Sequence, residues 1–290
     1  MEKGRIIKSS GGFYYVDNGS EIIECRARGK FRKDKISPCV GDFVDVELTA
    51  DSKGYVVAID ERKNVLSRPS VANIDRLLLI AAAADPAPNR FVIDKILTIA
   101  EYQDIDTVLI VTKTDVADAD SLITDYRKAG YTVMGVNSLE DDVSEIRELI
   151  KGRLCVLAGN TGVGKSTLLN ALAPSLEVAT GETSKKLGRG RHTTRTTEMF
   201  PVCGGFVADT PGFSAIDLEM VEPIKKDKLE LCFPEFEPYL LKCKFTGCSH
   251  TCEKGCAVLE ALDKGEISQS RHKSYCALYE EAKKRPDWET

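Results

Sequence analysis

The segment GNTGVGKST, Gly159 to Thr167, constrains this 290-residue chain more than any other. It follows the apolar run LCVLA and precedes LLNALA, which Pro174 terminates, so strand, glycine loop and helix stand in the order a phosphate-binding loop requires. Gly159, Gly162 and Gly164 let the backbone turn so that consecutive N–H groups of the loop, which also holds Asn160, Thr161 and Val163, point inward at a phosphate. The helix start adds favourable potential there. Lys165 supplies positive charge to the β and γ phosphates, the hydroxyl of Ser166 is the expected Mg²⁺ ligand, and Thr167 closes the pattern. Alone, the loop separates neither ATP from GTP nor a kinase from a hydrolase.

Downstream, FVADTPGF puts Asp209 at the end of a second apolar run, where its carboxylate can reach the Mg²⁺ shell, and Gly212 can offer a backbone N–H to the γ phosphate. Between the two motifs lies GETSKKLGRGRHTTRTTEMF, too polar for core and suited to a loop that orders around phosphate and metal. Thr193 or Thr194 is its candidate Mg²⁺ contact. Phe213 follows the Asp-x-x-Gly element where many GTPases carry a water-orienting glutamine, so another group must position the water. His192 is the candidate for that catalytic role; the bland alternative is a basic-loop residue facing a partner.

The apolar run VLIVT leads into Thr112, Lys113 and Asp115, a Thr-Lys-x-Asp element similar to the Asn-Lys-x-Asp guanine reader of GTPases. The Asp115 carboxylate would accept from the guanine N1–H and 2-amino group, a donor pair that adenine lacks. Lys113 would lie along the base. Thr112 in place of asparagine loses an amide that normally braces the site, which predicts weaker guanine affinity. Asn137 and Ser138, after the run YTVMGV, resemble the short loop that touches guanine O6. This order, base reader before phosphate loop, implies a circular permutation, which keeps sheet and site while moving the termini.

The surrounding pattern divides into three. Over residues 1–67, five short β-prone runs broken by Gly and Asn-Gly punctuation predict a small barrel of OB type, with an SH3-like barrel the close alternative, and a polar connector near Glu61 to Ser70. Residues 68–220 alternate apolar strands with helical segments, an α/β domain with a mostly parallel sheet. Residues 221–290 form a small helical module with little core of its own, carrying Cys243, Cys248, His250 and Cys256 as C-x4-C-x-H-x5-C. Three thiolates and an imidazole suffice for one closed tetrahedral Zn²⁺ site; Cys252 competes as ligand, and reduced structural cysteines are the alternative.

The net charge of -5 argues against a binder recognised by bulk charge, yet residues 1–40 carry nine Lys/Arg against five Asp/Glu, and Lys185 to Arg195 carries five basic residues and no acidic one. No apolar stretch suggests a signal or a membrane span, which predicts a cytoplasmic protein with its ten cysteines unpaired.

Basic barrel, permuted GTPase and cysteine module, in that order, resemble the bacterial ribosome small-subunit-dependent GTPase A (RsgA) family. The matching stretches are RGKFRK, VGD, GNTGVGKST, GRGRHTT, DTPGF and CKFTGCSHTCEKGCAV. The resemblance implies a GTPase that acts late in maturation of the 30S subunit, is stimulated by it, and contacts 16S rRNA through barrel and zinc module. It also implies zinc on Cys243, Cys248, His250 and Cys256, catalysis by His192, and a monomer cycling between GTP and GDP. A stand-alone P-loop ATPase or nucleotide kinase, and an RNA-binding assembly factor for which nucleotide is only a conformational ligand, remain as alternatives.

Overall fold

Short amphipathic strands followed by longer apolar strands alternating with helices give the order of elements. A computed structural model describes residues 1–33, 36–50, 53–67, 70–137, 143–174, 197–209 and 224–284. The strands are β1 (Glu2–Ser10), β2 (Phe13–Asp17), β3 (Ile22–Ala27), β4 (Phe43–Leu48), β5 (Gly54–Ile59), β6 (Val65–Ser67), β7 (Ser70–Ala72), β8 (Arg76–Ala82), β9 (Asp106–Thr112), β10 (Thr132–Val136), β11 (Leu154–Ala158), β12 (Thr197–Val202) and β13 (Gly205–Asp209). The helices are the single turn α1 (Lys30–Lys33), α2 (Arg90–Tyr102), α3 (Asp120–Lys128), α4 (Ser144–Ile150), α5 (Lys165–Leu172), α6 (Lys226–Leu229), α7 (Ala257–Asp263) and α8 (Gln269–Lys283). Contacts group them into two units, residues 1–77 with 142–158 and 165–216, and residues 78–141 with 159–164 and 217–290.

The first unit begins with a closed five-stranded barrel in the order β1-β2-β3-β5-β4, with β4 returning to β1 from Glu2↔Val46 to Arg5↔Phe43. Its β3–β5 pairing is parallel, Cys25 facing Gly54. A meander of consecutive hairpins would be antiparallel throughout, so this pairing selects the OB-type barrel over the SH3-like one. Period-2 burial drives closure: Ile6, Val16, Ile23, Cys25, Val44, Val46 and Val56 point inward. Asp42, fully buried, accepts from the Cys39 amide at 2.7 Å and from Arg62 Nε and Nη2 at 2.7 and 2.8 Å, tying the barrel to the segment that leaves it.

Two expectations fail in this unit. The supposed polar connector holds β6, which pairs with β7 from Val65↔Ala72 to Ser67↔Ser70, and Asn64 exchanges two hydrogen bonds with the Ile74 backbone. Three-residue strands are too short to display alternation. Likewise TEMF, assigned to the polar loop, opens β12, which runs antiparallel to β13 with Met199 buried. Here pairing on both sides overrides a polar composition, for β12 also meets β1 at Lys8↔Glu198 and Ser9↔Thr197. Parallel β11 and β13 complete the unit's sheet, in register from Leu154↔Phe206 to Val156↔Ala208.

In the second unit the strand order is β10-β9-β8, with β9 and β10 parallel from Val108↔Thr132 to Thr112↔Val136. Leu78 to Ala82 and Val108 to Val111 are buried throughout, the near-continuous apolar composition of strands covered on both faces. Asn89 caps α2 by accepting from the Val92 amide at 3.2 Å. Among the described residues no helix is long and apolar enough to cross a membrane.

The carboxy-terminal module of this unit has a core, against expectation. Leu229, Cys232, Phe233, Phe236, Val258, Ala261, Ile267, Tyr275 and Leu278 bury together, with Phe233 and Phe236 ring centroids 5.1 and 4.9 Å from Tyr275. Tyr275 lies on α8, but Phe236 lies on the 3-10 turn Pro234–Phe236 and Phe233 between that turn and the one at Glu230–Cys232, so no helical period announces the two phenylalanines. At its edge Arg271 is fully buried, donating through Nε and Nη2 to Glu235 at 2.7 and 3.0 Å and through Nη1 to Asp94 of α2 at 2.8 Å. Tyr126 of α3 donates to the same Asp94 oxygen at 2.8 Å. Removing the cation strands two buried carboxylates. Arg271→Ala is expected to cost about 3–5 kcal/mol of stability, read from the urea midpoint by circular dichroism; an unchanged midpoint contradicts this role.

Candidate nucleotide site and metal centre

The phosphate loop is shaped by what it approaches. Leaving β11, Gly159 adopts φ +140°, and a Cβ there would stand 2.1 Å from the Ile80 carbonyl oxygen. Only glycine allows that approach. Gly162 and Gly164 also take positive φ, Thr161 is exposed, Val163 is buried, and α5 begins at Lys165, so Ser166 and Thr167 occupy its first turn. Asn160 and Lys165 are partly buried.

Parallel pairing aligns the other motifs. In the first unit β11 and β13 run together, so Ala158 and Asp209, the last residues of the two strands, lie at the same carboxyl edge. In the second unit β9 and β10 do likewise, bringing out Thr112 and Asn137 side by side. Ligands of open α/β sheets bind at such an edge.

The Thr-Lys-x-Asp element and the glycine loop are in direct contact. Thr112, fully buried at the end of β9, donates its hydroxyl proton to the Val163 carbonyl at 2.6 Å, with the Ala81 carbonyl 3.2 Å away. In the position where asparagine is usual, the threonine hydroxyl makes one bond to the glycine loop. Lys113 takes a left-handed φ of 58° and donates through Nζ to the Asp85 carbonyl, and Asp115 stands exposed in the turn that follows. The turn after β8 thus meets Lys113, and its Asp85-Pro-Ala-Pro composition signals only a turn. Ser138, His192, Thr193, Thr194, Gly212 and the side chain of Asp209 lie outside the described residues.

In the carboxy-terminal module Cys243, Cys248, His250 and Cys256 converge, one donor atom from each within 4.8 Å of the others. Zn–S bonds of about 2.3 Å and a Zn–N bond of about 2.0 Å at tetrahedral angles place sulfurs about 3.8 Å apart and sulfur and nitrogen about 3.5 Å apart. The observed separations are 3.9 Å for Cys243 Sγ–Cys256 Sγ, 3.6 Å for Cys243 Sγ–His250 Nδ1 and 3.3 Å for His250 Nδ1–Cys256 Sγ. The donor set fits a tetrahedral thiophilic ion. Burial pushes the Cys248 thiol up to about 12 and raises that of Cys256, so only a bound cation would make thiolates of them at neutral pH. Cys252 is exposed and outside the group.

The local loop is built for this. The Glu253 carboxylate accepts from the Ser249 hydroxyl and from the amides of Ser249, Thr251 and Cys252 at 2.9, 3.1 and 3.2 Å; against opposing desolvation, the Ser249 hydroxyl first and then the Ser249 and Cys252 amides lower its pKa to about 2. No spacing rule picks out Glu253.

The RsgA GTPase profile matches residues 59–219, and the RsgA N-terminal domain profile matches residues 3–56. The chain belongs to the RsgA GTPase family. It is therefore a GTP-hydrolysing enzyme. A relative from Shouchella clausii, named small ribosomal subunit biogenesis GTPase RsgA, is 44% identical over 97% of each chain. Among solved structures, YloQ, described as a circularly permuted GTPase, matches with a TM-score of 0.78 and 37% identity over 99% of this chain and 96% of its own. YjeQ from Thermotoga maritima matches with a TM-score of 0.80 and 30% identity over 98% and 99%.

Thr112→Val keeps the volume and deletes the hydroxyl, leaving the Val163 carbonyl unsatisfied at a cost of about 1–3 kcal/mol. Titration with labelled GDP is expected to show affinity falling by roughly tenfold; unchanged affinity would mean that the brace does not shape the site. Cys248→Ser is expected to leave the purified protein depleted of zinc by elemental analysis, whereas a metal-free wild type rejects the centre altogether.

Proposed function

We propose that this chain hydrolyses GTP to GDP and phosphate during late maturation of the small ribosomal subunit and that the 30S particle stimulates it. The observation that carries the nucleotide reading is the Thr112–Val163 hydrogen bond, which joins the base reader to the phosphate loop and so supports one bound nucleotide spanning both. The ribosomal part rests on the printed name of the Shouchella clausii relative.

In this reading the nucleotide contacts are Thr112, Lys113, Asp115, Asn137 and Ser138 at the base, and Gly159 to Thr167, Asp209 and Gly212 at the phosphates. Ser166, Asp209 and Thr193 or Thr194 would hold Mg²⁺, which supplies charge neutralisation on the β and γ oxygens. The chain's own residues do the rest. Asp115 selects guanine, the loop amides and Lys165 fix the phosphates, and His192 orients the attacking water where Phe213 cannot. Cys243, Cys248, His250 and Cys256 would hold one structural Zn²⁺. The working division is residues 1–67, 68–220 and 221–290, in a cytoplasmic monomer.

For 16S rRNA the barrel offers a groove of about 440 Å³ lined by Gly11, Gly12, Phe13, Arg26, Arg28 and Phe31. The Arg26 guanidinium lies 4.5 Å from the Phe13 ring centroid, a cation–aromatic platform on which an unpaired base can stack.

The test is turnover of GTP and of ATP, each with and without purified 30S subunits. Strong stimulation of GTP hydrolysis alone is expected; comparable ATP hydrolysis supports a general ATPase, and no turnover in either condition supports a nucleotide-switched RNA binder. His192→Ala should bind GTP normally yet turn over more slowly on the subunit. Phe13→Ala should weaken 30S association by roughly five- to a hundredfold, the range for loss of one base stack, without altering GTPase activity in the subunit's absence.

A further inference from the structure

We infer that Glu230 is a positioning residue of the metal centre, accepting the Nε2 proton of His250 and thereby presenting Nδ1 to the three cysteines. This rests on the metal-binding reading of Cys243, Cys248, His250 and Cys256.

Two sets of distances carry it. Nδ1 of His250 lies 3.3 and 3.6 Å from the sulfurs of Cys256 and Cys243, while Nε2 lies 2.9 Å from Glu230 Oε2. A neutral imidazole has one proton, and a ligating nitrogen must be the bare one. Donation from Nε2 to the carboxylate puts the proton on the far side of the ring and leaves the Nδ1 lone pair aimed at the donor cluster.

Every other freedom of His250 is already taken up. Its backbone holds a left-handed φ of 56°, its carbonyl accepts from His272 Nε2 at 2.8 Å, and the preceding carbonyl of Ser249 accepts from the Tyr275 hydroxyl at 3.0 Å. Phe236 meets the ring edge-on at a centroid distance of 6.0 Å. What remains is rotation of the ring about its own bond to Cβ, and the Glu230 oxygen is the contact that distinguishes the two orientations. With the His250 side chain only 2% exposed, solvent is poorly placed to replace that acceptor.

Glu230 also comes from elsewhere in the chain. It opens the turn after α6, twenty residues before His250, in the segment between β13 and the cysteine loop. Through it, the metal centre would hold the turn Glu230–Cys232 as well as its own loop.

The experiment uses the full chain as wild type, Glu230→Ala and Glu230→Gln, with Zn²⁺ affinity from competition against a chromophoric chelator and ligand geometry from the Co²⁺ absorption spectrum. Loss of such a partner typically lowers metal affinity by about 10–100-fold, which is expected for Glu230→Ala. Glu230→Gln, whose amide oxygen still accepts from Nε2 but carries no charge, should fall between alanine and wild type. Alanine at wild-type affinity overturns the positioning role while leaving the metal centre standing; a wild type that binds neither ion overturns the centre and the inference with it. Should the alanine variant not fold, glutamine at unchanged affinity with an unchanged Co²⁺ spectrum overturns the role.

Discussion

At the carboxyl end of β9 the Thr112 hydroxyl reaches the carbonyl of Val163, 51 residues further along the chain. The remaining geometry of the nucleotide site hangs on that contact. It sets how far the turn carrying Asp115 stands from the loop that would cradle phosphate. Nearby, Gly159 lets the loop come down onto the Ile80 backbone, where any Cβ would collide. A glycine needed for an approach and a hydroxyl needed for a brace are two aspects of one demand, that strand ends and loop lie within a single bond's reach.

The carboxy-terminal module is organised by different physics. An apolar cluster of aromatic side chains, a buried guanidinium shared between Glu235 and Asp94, and four convergent soft donors occupy a short segment with few regular hydrogen-bonded elements. Arg271 reaches out of the module to α2, whose buried face supports the strands of the base reader. A buried ion pair adds little net stability compared with apolar packing, yet its geometric demands are strict. The contact therefore specifies where α8 sits against α2 more than how firmly.

The motifs that carry chemistry were legible because their residue types have few other uses in that spacing. GNTGVGKST between an apolar strand and a helix, and C-x4-C-x-H-x5-C, needed no structural help to be noticed. The barrel's class became certain only with the parallel β3–β5 pairing, since two topologies share one pattern of short strands. What stayed hidden was non-local. Nothing in the spacing of Glu230 or Asp85 ties them to His250 or Lys113, and the aromatic core of the final module follows no period. Thr112 is hidden in the same way: nothing in its spacing shows that its hydroxyl reaches the Val163 carbonyl, 51 residues further along the chain.

The long first strand has a further consequence. Its opening residues close the barrel against β4, its closing residues Lys8 and Ser9 pair with Glu198 and Thr197 of β12, and Lys8 binds Glu198 by an ion pair of 2.8 Å. One ribbon of backbone is thus clamped at both ends, to the barrel at one and at the other to the strand entered straight after the basic threonine-rich segment. A displacement of that strand is therefore passed along the backbone of β1 to the barrel it closes.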